Sequence, residues 1–468
     1  MFKLLFVNPL FLVVSSVAFV AGCASYTINQ NPTVAVPITH FYQAGTANLE
    51  DQQEVNSEWW LSFNRESLNC LIQQALSDNL NVVEVVARFK QSQALLQQTR
   101  SALFPQISFE AEASKNWQSR QSQSSLSSLG AELSWEVDLS NRFGAATQAE
   151  EFRALARAYD IHALKLLLSA EVANTYFSAV AAQNRLVLLN QQVQTDQQLL
   201  DLLTLRFESG VGTKVEVLQQ KSRIQDSFSL IPMAESDYQI FENRLDVLLG
   251  IPPDGKNRIT EQETLDFSNQ LPSLGVPAQL LLQRPDLLSA RAELIAADAE
   301  IAQAIAERLP SISLSASFVN TRTRNYVGPL SMLMADFVQP LLDWGQRKAV
   351  IAENKAIYEE QLARFTGLYL QAVEEVENAL VQEQKQRELI KRLITRKTLL
   401  LETFAETEVL YTQGVNDYLP VLSALQELRA LERDLVNQQL NLVALRIQLI
   451  RAIGGNLNLN EYTSELLN

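Results

Sequence analysis

The stretch RLPSISLSASF, residues 308–318, decides the fold because the periodicity of the sequence changes within it. From Ser311 to Phe318, serine alternates with isoleucine, leucine, alanine and phenylalanine, which is the pattern of a strand with one apolar and one polar face. The preceding run, DLLSARAELIAADAEIAQAIAE, has helical character, and the residue before Pro310 is disfavoured in a helix. We therefore predict a helix to about residue 307 and a strand after Pro310.

The same arrangement occurs twice in the chain. SALFPQISFEAE around Pro105 matches AERLPSISLSAS around Pro310, at an offset of 205 residues. Further landmarks keep this register to within one residue, and they are Asp138 with Asp343, Arg142 with Arg347, Gly210 with Gly414, Val211 with Val415, and Gly250 with Gly454. Such self-similarity predicts one structural unit of about 205 residues that is repeated in tandem.

Each unit reads as a helix, a β-hairpin and a long helical hairpin. The predicted helices cover residues 67–102, 144–208 and a return to about 249 in the first unit, and 285–307, 346–411 and 418–452 in the second. At a rise of 1.5 Å per residue, the helix over 144–208 spans about 98 Å. Helices of this length pack side by side, so the fold is predicted to be mainly α with a small β part.

The four predicted strands have the length and pattern of membrane strands. Each is about ten residues long, and apolar and polar residues alternate along it, as in the second strand at 128–139. The fourth strand, within 328–341, is less regular at Asp336. Polar loops are predicted at 118–128 and 320–325. The residues predicted to face lipid are Ile107, Phe109, Leu133, Trp135, Leu314 and Phe318. The alternative is a sandwich sheet with one face on a protein core.

Four strands are too few to close a barrel, and open sheet edges are not tolerated in lipid. Strands from several chains must therefore combine, giving eight strands in a dimer or twelve in a trimer. A barrel of eight fills its interior with side chains, whereas twelve leave more room, so a water-filled conduit favours the trimer. Strand counting alone is also compatible with the dimer.

Composition argues against several functional classes. The formal charge of −15 and a pI near 4.8 disfavour a nucleic-acid partner. The two histidines, His40 and His162, are far apart, and no cysteine or histidine cluster has metal-ligand spacing. No glycine-rich phosphate loop follows a strand. We expect neither enzyme activity nor a metal or other cofactor, apart from a covalent lipid.

The N-terminus has the layout of an export signal. Residues 1–22 combine an early lysine, an apolar stretch and small residues before Cys23. The sequence VAGC, residues 20–23, resembles a bacterial lipobox, which implies that Cys23 carries acyl chains such as palmitate. Ala24 follows, rather than the aspartate that retains such lipoproteins in the inner membrane, so the expected location is the outer membrane, with a lipid anchor. The alternative is an ordinary signal peptide with a chance cysteine.

Four segments carry a family resemblance: EWWLSFNRESLNCLIQQALSDN, VPAQLLLQRPDLLSARAELIAADAEI, RFESGVGTKVEVLQ and LYTQGVNDYLPVLSALQEL. In this order and register, the chain resembles the TolC-like outer-membrane factors of the lipoprotein, NodT-like branch, over nearly the whole mature length. The resemblance implies a homotrimer. Its 12-stranded β-barrel in the outer membrane is continuous with a long α-helical barrel in the periplasm, and an equatorial belt surrounds the latter.

The resemblance also implies domain boundaries. They are a signal peptide at 1–22, a lipidated equatorial segment at 23–65, a first efflux repeat at 66–255, an equatorial linker at 256–284, a second repeat at 285–455 and a tail at 456–468.

The function implied is that of a passive exit duct in a tripartite efflux system. A periplasmic adaptor would dock at the helical turns containing Gly210, Val211, Gly414 and Val415, and would connect to an inner-membrane pump of the resistance-nodulation-division type. Leu419 falls at the family's apolar gate position, and Ser423 replaces the usual acidic residue, which leaves Asp417 as a possible source of a charged ring. The alternatives are helix packing for Leu419 and a helix N-cap or solvated turn for Asp417.

Two other functions fit the same architecture. One is a lipoprotein that acts as a coiled periplasmic spacer, with its strands outside lipid. The other is the outer-membrane component of a type I protein-secretion system. A conduit requires the apolar strand residues to meet lipid, whereas a spacer requires them to be covered by protein.

Overall fold

The computed structural model describes residues 26–32, 58–118, 121–259, 262–268, 270–271, 283–323 and 326–455. Cys23, the predicted signal peptide and the predicted tail at 456–468 lie outside these residues, and the domain boundaries stay predictions. Within the described part, no helix combines the length and apolarity needed to cross a membrane.

Most of the described chain is helical, and the remaining regular structure is one small sheet, as predicted. In chain order the elements are α1 (Glu66–Asp78), α2 (Leu80–Arg100), β1 (Gln106–Gln118), β2 (Gln121–Val137), α3 (Arg142–Glu208), α4 (Lys214–Leu248), α5 (Pro285–Ala306), β3 (Ser311–Arg322), β4 (Val327–Val338), α6 (Gln346–Thr412) and α7 (Tyr418–Ala452). Short 3-10 turns occupy Trp59–Phe63 and Ser101–Leu103.

The predicted single helix over 67–102 is wrong, because Asn79 divides it into α1 and α2. Asn79 has an extended backbone, with φ −65° and ψ 129°. Its side-chain oxygen accepts a hydrogen bond from the backbone N–H of Asn81 at 2.9 Å, and its amide donates to the carbonyl of Leu248 at 2.8 Å. An asparagine side chain that bonds nearby backbone competes with the helix, and here a second bond to the end of α4 fixes the break.

Four helix ends share one geometry and keep the register of the two repeats. At each, a glycine with φ between 75° and 94° ends the helix, and these are Gly210, Gly250, Gly414 and Gly454. At the first, the N–H of Gly210 bonds to the carbonyl of Phe207 and that of Val211 to Arg206, both at 3.0 Å. This is the Schellman arrangement, in which glycine allows the left-handed backbone. The same pair of bonds recurs at the other three ends.

The sheet is antiparallel throughout, in the order β1-β2-β3-β4. Pairing of β2 with β3 joins the two repeats, with Leu133 opposite Ala316. The predicted loop over 118–128 is largely wrong, since β2 begins at Gln121 and Ser125 pairs with Lys115 of β1. The serine-rich stretch extends the hairpin because a backbone ladder requires only extended residues with free N–H and C=O groups. For the same reason β3 continues to Arg322, into the predicted loop over 320–325.

The chain divides into two compact units. The sheet unit comprises Met1–Val34, Phe89–Ala156 and Ala290–Phe365, and the hairpin unit comprises Ala35–Arg88, Arg157–Ser289 and Thr366–Asn468. The core of the hairpin unit is built on aromatic residues from the 3-10 turn and α3. Phe63 packs against Phe177 with 5.1 Å between the ring centroids, and Trp59 donates its indole N–H to the hydroxyl of Ser169.

We expect Gly250→Ala to destabilise the hairpin unit more than Gly255→Ala. Both glycines have positive φ, 76° and 71°, so each alanine introduces backbone strain of about 1 kcal/mol. At Gly250 the added Cβ would also lie 2.6 Å from the carbonyl oxygen of Asp78. At Gly255 no heavy atom of the described residues, apart from Gly255 itself and its two chain neighbours, lies within 4 Å of the added Cβ. The clash adds about 2 kcal/mol. Denaturant unfolding in detergent measures both, and equal losses would contradict the close packing of α1 against the end of α4.

Candidate channel surfaces

One face of the sheet is apolar and exposed. The strand register places Ile107, Leu133, Ala316 and Leu333 side by side in one row across all four strands. Ile107 is 75% exposed and Leu333 is 86% exposed. A soluble sheet would bury such a row against a core, because exposed contiguous apolar surface usually marks an interaction site.

The six residues predicted to face lipid all lie on this apolar face. Phe109 and Phe318 are largely exposed, like Ile107, whereas Leu133 and Leu314 are half-buried. Trp135 is also half-buried, and its indole N–H donates to the carbonyl of Leu103 at 3.1 Å. The structure thus brings the six together, and their contact with lipid stays a prediction.

The opposite face of the sheet is acidic. It carries five carboxylates, and among its described side chains there is no lysine or arginine: Glu110, Glu112, Glu132, Glu136 and Asp336. Glu136 forms an ion pair with Arg142, at the start of α3, with 2.7 Å between the charged atoms. A water-filled space beside this face would have a negative potential, which attracts cations.

The irregularity of β4 has a different origin from the one predicted. Asp336 does not interrupt the alternation, since it lies on the acidic face opposite Ser313. The irregular residues are Leu330, Met332 and Met334, which share that polar face although they are apolar. β4 is therefore apolar on both faces over most of its length.

The sheet also ends in two open edges. Within the described chain, β1 and β4 each pair with one strand only, so each leaves a row of backbone N–H and C=O groups without a partner strand. Edges of this kind pair readily with strands of another chain.

The two helical turns form the second candidate surface. Each presents a valine after its Schellman glycine, and Val211 and Val415 are both about two-thirds exposed. The first turn is followed by a capping box in which Thr213 and Glu216 bond reciprocally at the start of α4. Glu216 also accepts a hydrogen bond at 3.2 Å from Tyr411, which links the two turns.

The predicted gate residues flank a buried tyrosine. Asp417 is the N-cap residue of α7, although its side chain accepts no capping hydrogen bond. Leu419 is 64% exposed and so does not pack inside its own chain. Between them, Tyr418 is buried and donates to the side-chain oxygen of Gln220 at 2.8 Å. The gating roles of Asp417 and Leu419 stay predictions.

Sequence reasoning missed a buried polar cluster that joins the two helical hairpins. Asp196 of α3 and Arg429 of α7 form a buried ion pair. The side-chain amide of Gln220 donates to Asp196 at 3.1 Å and the hydroxyl of Ser227 donates at 3.2 Å. We call these four residues the Asp196 cluster. In the sequence its charges are indistinguishable from those of a solvated helix face.

Burial also affects ionisation around this cluster. Burial, followed by the negative charge of Asp196, raises the pKa of Tyr418 above its ordinary value, so its hydroxyl stays protonated and can donate to Gln220. Burial and the positive charges of Arg223 and Arg429 lower the pKa of Arg433, whose guanidinium donates to Gln192 at 3.0 Å. The contacts of the cluster hold helices together, and none of them resembles a catalytic arrangement.

In the part of the chain that the structure describes, no three histidine, cysteine, aspartate or glutamate side chains come together as metal ligands would.

The sequence profile described as outer membrane efflux protein matches residues 71–251 and 276–455. The chain is 27% identical to the pyoverdine export outer membrane protein OpmQ of Pseudomonas putida, over 91% of this chain and 93% of the relative. It is 25% identical to nodulation protein T of Rhizobium leguminosarum bv. trifolii, over 94% and 95%. The solved outer-membrane channel OprN superposes with a TM-score of 0.84 at 23% identity, over 92% of this chain and 99% of OprN.

We expect Arg429→Met to lower the free energy of unfolding by about 3–5 kcal/mol, because it leaves the carboxylate of Asp196 buried without its cation. Arg396→Met is the matched control, since Arg396 pairs with Glu427 at 3.6 Å on the surface. Its expected loss is below about 1 kcal/mol.

The double variant Asp196→Leu, Arg429→Met removes both charges and should recover most of the loss. Unfolding of the three variants in denaturant compares them directly. An Arg429→Met loss as small as that of Arg396→Met would contradict the role assigned to the Asp196 cluster.

Proposed function

Because the chain belongs to the outer membrane efflux protein family, whose profile covers most of its length, we propose that it forms the exit duct of a tripartite efflux system. The family match and the export-protein relative confirm three predictions: the family, the function as an efflux channel of the outer membrane, and the absence of enzyme activity. The duct passes small molecules that an inner-membrane pump delivers through a periplasmic adaptor.

The observation that carries this proposal is the two-faced sheet. Its apolar face suits lipid and its acidic face suits water, while strands of 12 to 17 residues exceed the roughly 9–11 needed to cross a bilayer. The spacer alternative requires protein to cover the apolar face. Ile107, Phe109 and Leu333 are instead largely exposed in the described chain, which favours the conduit.

The two open edges support assembly of three copies. In lipid, the unpaired groups of β1 and β4 cannot bond to water, so β4 of one copy must pair with β1 of the next. Three copies give a closed 12-stranded barrel with the acidic faces inward. Twelve strands leave a water-filled space, whereas eight would be filled by side chains.

The helical hairpins provide the periplasmic part of the duct in this proposal. Adaptor docking is assigned to the turns at Gly210, Val211, Gly414 and Val415. In each turn an exposed valine follows the glycine that ends the helix. The pump beyond the adaptor is of the resistance-nodulation-division type. Leu419 and Asp417 are proposed to narrow the duct beside the second turn.

A lipid anchor on Cys23 completes the proposal. Acylation after removal of residues 1–22 would hold the chain in the outer membrane, since each buried CH₂ contributes about 0.8 kcal/mol. The lipobox-like sequence VAGC supports this assignment.

Recording of purified protein in planar bilayers tests the function. We expect discrete conductance with a preference for cations, because the acidic sheet face lines the passage. The double variant Glu110→Gln, Glu132→Gln should reduce this preference, as read from the reversal potential in a salt gradient. Lys115→Gln, a charge change on the opposite face, should leave it unchanged. Absence of channel events from homogeneous oligomer would contradict the exit-duct function.

We expect Val415→Asp to weaken adaptor capture at least tenfold, because it places a charge within an apolar contact at the second turn. Thr395→Asp, an exposed position on α6 about 26 Å from the end of that helix, is the control and should bind as the unmodified protein does. Titration of immobilised channel with the purified adaptor measures both. Equal capture by the two variants would exclude the second turn as the docking site.

A further inference from the structure

A short N-terminal segment lies against α5. We call residues 26–32 the strap. The hydroxyl of Tyr26 donates to one carboxylate oxygen of Asp298 at 2.5 Å, and the backbone N–H of Asn29 donates to the other at 2.6 Å. Arg291 of α5 donates to the side-chain oxygen of Asn31 at 2.8 Å and to the carbonyl of Gln30 at 3.3 Å.

Asp298 serves as the receptor for the strap. The residue is 2% exposed, and the strap supplies a donor to each of its carboxylate oxygens. A buried carboxylate that loses its donors is strongly unfavourable. The docked strap therefore supplies hydrogen-bond donors to a carboxyl group that is buried when the strap is in place. Burial, then the hydrogen bond and charge of Asp298, raise the pKa of Tyr26, so the phenol remains a donor.

The two contacts also give the strap a direction. Asp298 lies seven residues after Arg291 on α5, which is two helical turns or about 10 Å along the same face. Because Tyr26 contacts the later position and Asn31 the earlier one, the strap runs antiparallel to α5. The N-terminal end of the strap, at Tyr26, thus lies nearer the C-terminal end of α5 at Ala306, after which β3 begins.

We propose that the strap aligns the acylated N-terminus with the membrane end of the sheet unit, and that Asp298 is its positioning residue. This inference rests on the proposed function, since it takes Cys23 as lipidated and the sheet as membrane-inserted. Cys23 precedes Tyr26 by three residues, a reach of at most about 10 Å. The acyl chains then enter the bilayer on the side of the sheet unit at which β3 begins.

Hydrogen exchange of the full chain in lipid nanodiscs tests the receptor role. We expect the amide of Asn29 to be protected, and Asp298→Ala to accelerate its exchange at least tenfold while the sheet amides are unchanged. Thr27→Ala, an exposed position of the same strap, is the control and should preserve protection. Unprotected exchange in the unmodified protein, or no acceleration in Asp298→Ala, would overturn the proposal.

Quenching of a fluorophore by nitroxide-labelled lipid headgroups tests the direction. In a Cys70→Ser background, a label at Thr27→Cys should be quenched more than one at Pro32→Cys, and Asp298→Ala should abolish the difference. The background chain without an added cysteine should not be labelled, since acylated Cys23 has no free thiol. Equal quenching at the two positions, or labelling of Cys23, would overturn the proposal. Conductance of the same samples reports separately on the exit-duct function.

Discussion

A sheet that enters lipid must pair every backbone N–H and C=O group, and the proposed assembly of the protein follows from this requirement. The chain supplies four strands in sequential order and leaves both outer strands open. Its apolar face is exposed and its other face is acidic. Each property alone is costly for a solitary soluble chain. Together they become favourable when copies join edge to edge, since the ladder closes, the apolar face meets lipid and the carboxylates meet water.

In the hairpin unit, both repeats must pack long helices side by side and reverse the chain direction between them. Long helices need repeated side-by-side contacts, and the Schellman glycines turn each hairpin without a long loop. The Asp196 cluster adds hydrogen bonds and an ion pair between these helices, and such directional contacts form in only one relative position of the helices. We hypothesise that the buried ion pair of Asp196 and Arg429 defines which helix faces meet.

The sequence predicted features that have a period or a local cause. Alternation identified the apolar strand face, and the matched glycines identified both helical turns. The sequence did not reveal the helix break at Asn79, because this break is stabilised by a hydrogen bond to the carbonyl of Leu248, far along the chain. It misjudged the length of β2, since serine-rich segments look alike in loops and in ladders. It missed Asp196 and Arg429, because burial of a charge depends on which helices meet, and the same pattern fits a solvated face.

Accessibility of β2 in the membrane tests the central claim most directly. Single cysteines at positions 129–137, in a Cys70→Ser background, carry spin labels. The relaxation of each label is measured in the presence of lipid-soluble oxygen and in the presence of a water-soluble nickel complex, and the two values are compared. The account predicts a period of two, with the odd-numbered positions reached from lipid and the even-numbered positions from water. Uniform accessibility, or an odd-numbered face shielded from both reagents, would contradict it.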